Sequence, residues 1–82
     1  MNRMRTKKTI EDCIQENLEA YFKDLRGVEP SALYDMILRA VERPLLDVVM
    51  KHADSNQSRA AEWLGINRNT LHRKLQEHQL IK

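Results

Sequence analysis

The sequence predicts an all-α fold of four helices, and three observations carry it. Apolar residues recur at three- and four-residue spacing from Ile10 to Leu25 and again from Leu33 to Met50. The 82 residues include only two glycines and two prolines, and no stretch alternates apolar with polar residues, which argues against strands and long loops. From Asn56 to Leu75 the run N-Q-S-R-A-A-E-W-L-G-I-N-R-N-T-L-H-R-K-L has the pattern of two short helices joined at a glycine. At 41% apolar residues such a chain builds one small domain with a thin core, and chains this short often gain stability by oligomerising.

The first element is a basic arm at residues 1–8, read as disordered, carrying Arg3, Arg5, Lys7 and Lys8. Thr9 then caps a helix reaching about Arg26, with Glu11 and Asp12 in its first turn and Lys23 and Arg26 in its last, as the helix dipole favours. Its apolar stripe is Ile10, Ile14, Leu18, Tyr21, Phe22 and Leu25, and Gly27 ends it. Cys13 lies alongside as a buried or half-buried small apolar residue.

Pro30 suits the first position of the second helix, with Ser31 as an alternative cap. This helix reaches about Ala53. Its apolar positions are Leu33, Ile37, Ala40, Val41, Leu45, Val48 and Val49, widened by Tyr34, Met36, Leu38, Leu46 and Met50. Pro44 lies inside the pattern and predicts a kink; because the spacing continues through it, one kinked helix is preferred to two separate ones. The stripe is wider than the first helix alone can cover. Either the C-terminal helices of the same chain cover the surplus or a second copy does; a dimer is the preferred reading.

The joint His52-Ala53-Asp54-Ser55 leads to a helix from Gln57 to Leu64, capped by Asn56 or Ser55. Gly65 makes the turn in the left-handed region, and the last helix starts near Asn67 or Arg68. Ala60, Ala61 and Leu64 before the glycine, and Ile66, Leu71 and Leu75 after it, form the inner face, with small Ala61 where the two helices cross. The outer face carries Arg68, Asn69, His72 and Arg73, with Asn67 and Thr70 beside them. That suits a helix in a major groove, where Arg reads guanine, Asn reads adenine and Thr binds phosphate. The plainer alternative is a helical hairpin with a solvated basic face. After Leu75 the chain frays, though Leu80 and Ile81 can fold back. The expected organisation is thus an arm at 1–8, a helical dimerisation core at 9–53 and a helix-turn-helix unit at 54–82, within one compact domain.

Net charge is +2, but its distribution is uneven. The first eight residues carry +4, the stretch 9–50 holds nine acidic and four basic residues, and 51–82 holds six basic and three acidic. A polyanionic partner would meet the ends.

Catalysis is excluded. The chain has no Gly-rich phosphate loop and no nucleophile turn, and its acidic residues are scattered. His52, His72 and His78 have no ligand spacing, so neither a metal nor another cofactor is expected. Trp63 reads as a core or hinge residue. One cysteine permits no internal disulfide, which fits a reducing compartment. No apolar run could span a membrane, and the basic start lacks the hydrophobic segment of a signal peptide.

P-L-L-D-V-V-M from Pro44 to Met50, followed by the Asn56–Leu75 run, resembles the Fis family, the factor for inversion stimulation. The resemblance extends from about Thr9 to Leu80. It implies a homodimer of four helices per subunit whose two long helices form an intertwined core, and a bacterial nucleoid-associated transcriptional regulator in the cytoplasm. Its partner would be double-stranded DNA, bound and bent at degenerate sites with A/T-rich centres. The dimer core would include Leu18, Tyr21, Phe22, Leu33, Ile37, Val41, Leu45, Val48 and Val49. Asn67 and Arg68 match the family's base-contacting positions. Asn56, Ser58, Arg59, Thr70, His72, Arg73 and Lys74 match positions holding phosphates or flanking DNA.

Several positions depart from the family pattern. Ser58 replaces a threonine but keeps the hydroxyl. His72 stands where the best-known members have arginine, which implies a weaker, pH-sensitive contact. Asn69 replaces glycine, and Asp54, Gln76 and Glu77 replace basic residues at the edges. RNA polymerase or a recombinase would be a further partner, but the short N-terminus leaves little room for the β-hairpin arm that activates invertase-type recombinases. The last third also resembles the DNA-binding end of NtrC-like activators; a chain of this length starting at Met1 fits the free-standing protein better. A helical adaptor docking an acidic protein is the alternative from another class, and it has no need of Asn67-Arg68-Asn69-Thr70.

Overall fold

A computed structural model describes residues 8–82. Of the expected basic arm, only Lys8 falls among the described residues. The chain forms two compact units, Met1–Ala32 and Leu33–Lys82. The described residues contain four helices and no strand: α1 (Ile10–Leu25), α2 (Leu33–His52), α3 (Gln57–Leu64) and α4 (Arg68–Glu77).

In the first unit, α1 begins at a reciprocal cap. Thr9 Oγ1 accepts the Asp12 N–H at 3.0 Å, and the Asp12 carboxylate accepts the Thr9 N–H at 3.3 Å. The helix ends one residue before the expected position, because Arg26 already adopts left-handed backbone at φ +53° and Gly27 follows at φ +87°. No residue of α1 is buried, and Phe22 is 47% exposed. Cys13 is exposed as well, contrary to the expected burial, because the helix has no buried side at all. Lys8 and Glu16 pair at 2.8 Å, but both side chains are more than half exposed, so the pair contributes little.

The second unit starts at Leu33, three residues after the Pro30 start that the sequence suggests. Ala32 has φ +52°, and α2 cannot extend back through a left-handed residue. The helix then runs unbroken through Pro44, as one element rather than two. It includes the residues that close over the last two helices.

That closure is the core. Leu46 from α2, Ala53 from the joint, Ala60 and Ala61 from α3, and Leu71 and Leu75 from α4 form one buried cluster. Val49, Met50, Leu64, Ile66, Leu80 and Ile81 pack around it. Each fully buried leucine contributes about 1.5–3 kcal/mol of transfer free energy. Trp63, expected in the core or at a hinge, is instead 55% exposed, since the inward side of α3 is taken by Ala60, Ala61 and Leu64. The C-terminus does not fray after Leu75. α4 continues to Glu77, Gln79 turns left-handed at φ +60°, and the Leu80 N–H bonds the Leu75 carbonyl at 2.8 Å, which returns Leu80 to the core.

Two turns join the three helices. Asp54 (φ +54°) and Ser55 (φ +63°) link α2 to α3, both left-handed without being glycine. Gly65 (φ +75°) links α3 to α4, its N–H bonding the Ala61 carbonyl at 2.9 Å. A Cβ at residue 65 would meet no heavy atom within 4 Å. Gly65→Ala therefore isolates the conformational cost of that φ, and urea titration should show a loss of about 1–2 kcal/mol. A loss near zero would mean the turn relaxes to another geometry.

Candidate nucleic-acid interface

Each of the last two helices opens on an asparagine cap. Asn56 Oδ1 accepts the Arg59 N–H at 3.0 Å. Asn67 Oδ1 accepts the Asn69 N–H at 2.7 Å and the Thr70 N–H at 3.4 Å. The caps hold the carboxamide oxygens, so what each side chain has left to offer is its NH₂ donor. Asn67 in this role meets acceptors only: phosphate oxygens or the acceptor edges of bases.

The core fixes which side of α4 faces outward. With Leu71 and Leu75 buried, Arg68, Asn69, His72 and Arg73 are exposed, and Asn67 is exposed at the helix start. Asn56, Ser58 and Arg59 are exposed at the start of α3, while Thr70 and Lys74 are half-buried. Seven of the nine residues singled out for nucleic-acid contact are thus accessible on the two short helices. Arg73 pairs with Glu77 one turn on, at 3.3 Å, with both partners exposed. Such a pair is worth at most about 1 kcal/mol, so a stronger anion can displace it. His72 Nδ1 lies 3.0 Å from Gln57 Oε1 on α3. An amide oxygen only accepts, so that nitrogen carries the hydrogen. In the neutral ring Nε2 is then an acceptor, and it can donate to a phosphate only when the ring is protonated.

Lys74 is placed differently. Its ammonium meets the Glu42 carboxylate of α2 at 2.8 Å, and the other oxygen of Glu42 accepts from His78 Nε2 at 2.8 Å. The neighbouring Arg43 guanidinium donates to the His78 carbonyl. Among the described residues His78 is the one polar residue in the buried set, 6% exposed. Nothing local in the sequence marks this cluster: Lys74 and His78 share a side of α4 by their four-residue spacing, but Glu42 is 36 residues from His78.

The hydrogen bond from Lys74, then that from His78, hold the Glu42 carboxyl below its ordinary value of 4.5. A depressed carboxylate stabilises the fold above the unfolded value, and that contribution disappears as pH falls through the folded value. Glu42→Gln should therefore be less stable than the wild type near neutrality, with the gap closing in acid below about pH 4.5. Paired urea titrations across this range test it; a gap independent of pH would separate Glu42 from the effect.

Residues 37–78 match the family model described as bacterial regulatory protein, Fis family. The chain is 55% identical over 76 residues to a Fis-like DNA-binding protein of Ralstonia nicotianae, covering 93% of this chain and 99% of that one. It is 56% identical over 72 residues to a Fis-like DNA-binding protein of Neisseria meningitidis serogroup A, covering 88% and 91% respectively. It is 44% identical over 73 residues to the DNA-binding protein Fis of Proteus mirabilis, covering 89% of this chain and 74% of that one. With a family match that runs from within α2 through both short helices, and relatives 44–56% identical over 88–93% of its length, this chain belongs to the Fis family of bacterial regulatory proteins.

Proposed function

We propose that this chain is a homodimeric DNA-binding regulator of the bacterial nucleoid that bends duplexes with A/T-rich centres. The observation that carries the reading is the exposed set Arg68, Asn69, His72 and Arg73 on α4: Arg68 at the helix start, the other three held outward by buried Leu71 and Leu75. The relatives named as DNA-binding proteins support it. α4 enters a major groove, Asn67 and Arg68 touch base edges, and Asn56, Ser58, Arg59, Thr70 and Arg73 hold phosphates, joined by His72 when its ring is protonated. With few base contacts, phosphates supply most of the affinity, and binding weakens steeply with salt. In the proposed dimer, as the family resemblance implies, the two α4 helices would stand closer than one turn of straight DNA. The duplex bends to meet both, and deformable or A/T-rich centres bend at least cost. None of these roles calls for catalysis.

The dimer has its own support. α1 contains no buried residue, and α2 exposes Leu38, Val41, Leu45 and Val48, a side that a second copy would cover. Val49, grouped with these by its spacing, packs on the core of its own chain.

Selection of random duplexes on the protein, followed by sequencing, should enrich sites with A/T-rich centres. Recovery without any bias would favour a protein-binding adaptor. Arg68→Ala should cost about 1–3 kcal/mol of preference for the selected sites, whereas Arg73→Ala should weaken all duplexes alike and make the salt dependence shallower by about one per subunit. Equal behaviour of the two variants would sink these roles. Val48→Glu, at a position 52% exposed in the single chain, should give monomers by sedimentation while keeping its helical spectrum; a dimer that survives would move the interface elsewhere.

A further inference from the structure

The cluster on Glu42 stands apart from the exposed cations of the proposed interface. Lys74 and Glu42 approach to 2.8 Å with side chains 29% and 26% exposed, whereas Arg73 and Glu77 lie 3.3 Å apart at 61% and 42%. Shielding from water strengthens the first pair and limits its screening by salt; the second is open to both. Moving Lys74 to a phosphate would leave a half-shielded carboxylate without its strongest donor, while moving Arg73 leaves an exposed carboxylate that water can solvate.

The same two residues of α2 hold the end of α4 by side chain and by backbone. Glu42 bridges Lys74 and His78, and Arg43 donates to the His78 carbonyl at the negative end of the helix dipole. Leu80 folds back on the core just beyond. The last turn of α4 is therefore held to α2 on more than its leucines.

We propose that Glu42 is a positioning residue for the recognition helix: it holds Lys74 on the protein, so that Lys74 sets the placement of α4 and is not a phosphate contact. This rests on the DNA-binding reading above. It assigns to α2, outside the helix-turn-helix itself, part of the control over which bases Asn67 and Arg68 can reach.

The test uses the full chain with Lys74→Met, which keeps the aliphatic stem, and measures binding to a selected and a random duplex by fluorescence anisotropy across a salt series. Arg73→Met serves as the control. Lys74→Met should leave the salt slope at the wild-type value while preference for the selected duplex falls several-fold. A slope shallower by about 0.9 per subunit overturns the proposal, as does an unchanged preference. Thermal melts of Lys74→Met, Glu42→Gln and the double variant supply a second readout without DNA. Losses that fail to add identify one coupled pair, and strictly additive losses overturn it. A wild-type chain that shows no salt-dependent duplex binding removes the DNA reading itself, whereas an altered slope in Lys74→Met with normal wild-type binding removes only the role of Glu42.

Discussion

Leu46, Leu71 and Leu75 have to share one small space with Ala60 and Ala61, and the geometry of the second unit depends on that sharing. Alanines let α3 approach its neighbours closely; the leucines then fill what the alanines leave. Interiors tolerate little unfilled volume, so this arrangement has few alternatives. Once Leu71 and Leu75 point inward, Asn69, His72 and Arg73 point outward, and Arg68 is exposed because it stands in the first turn of α4. The left-handed glycine at residue 65 and the asparagine caps on α3 and α4 are the local conditions under which the helices can meet at that core.

α2 serves two surfaces with one apolar stripe. Leu46, Val49 and Met50 face the core of the same chain, while Leu45 and Val48, next to them in sequence, are exposed. The same turns of helix thus carry residues that stabilise the second unit and, around the axis from them, residues open to a second copy. The polar side of the same helix joins through Glu42 and Arg43 to the end of α4. In the proposed dimer, a change in α2 would be felt both at the subunit contact and at the recognition helix, without passing through the base-contacting residues.

Periodicity and turn chemistry made much of this legible. Gln57–Leu64 and Gly65 follow directly from the spacing of Ala60, Ala61 and Leu64 and from the need for a left-handed turn. The outward row on α4 follows from the four-residue separation of Leu71 and Leu75. Less legible were features that depend on a side chain's distant neighbours. Trp63 looks like a core residue by size, yet the position it occupies on α3 is exposed. Pro30 has the chemistry of a helix start, but the left-handed backbone at Ala32 delays α2 to Leu33. The chain end looks polar enough to fray, and it is held by one buried histidine and the return of Leu80.

The sequence by itself determined the extent of the short helices, the glycine turn, the Thr9 and Asn56 caps and the outward row on α4, because each depends on residues within a turn or two of one another. Only the tertiary structure decided how the apolar stripe of α2 divides between Leu46 and Leu45, and that Lys74 meets a carboxylate of α2. Those outcomes turn on which of several similar side chains comes within contact distance after the chain has closed, and spacing along a single helix carries no record of that distance. Lys74 and Arg73 are adjacent cations in the sequence; a shielded glutamate 32 positions away from Lys74 makes them different groups.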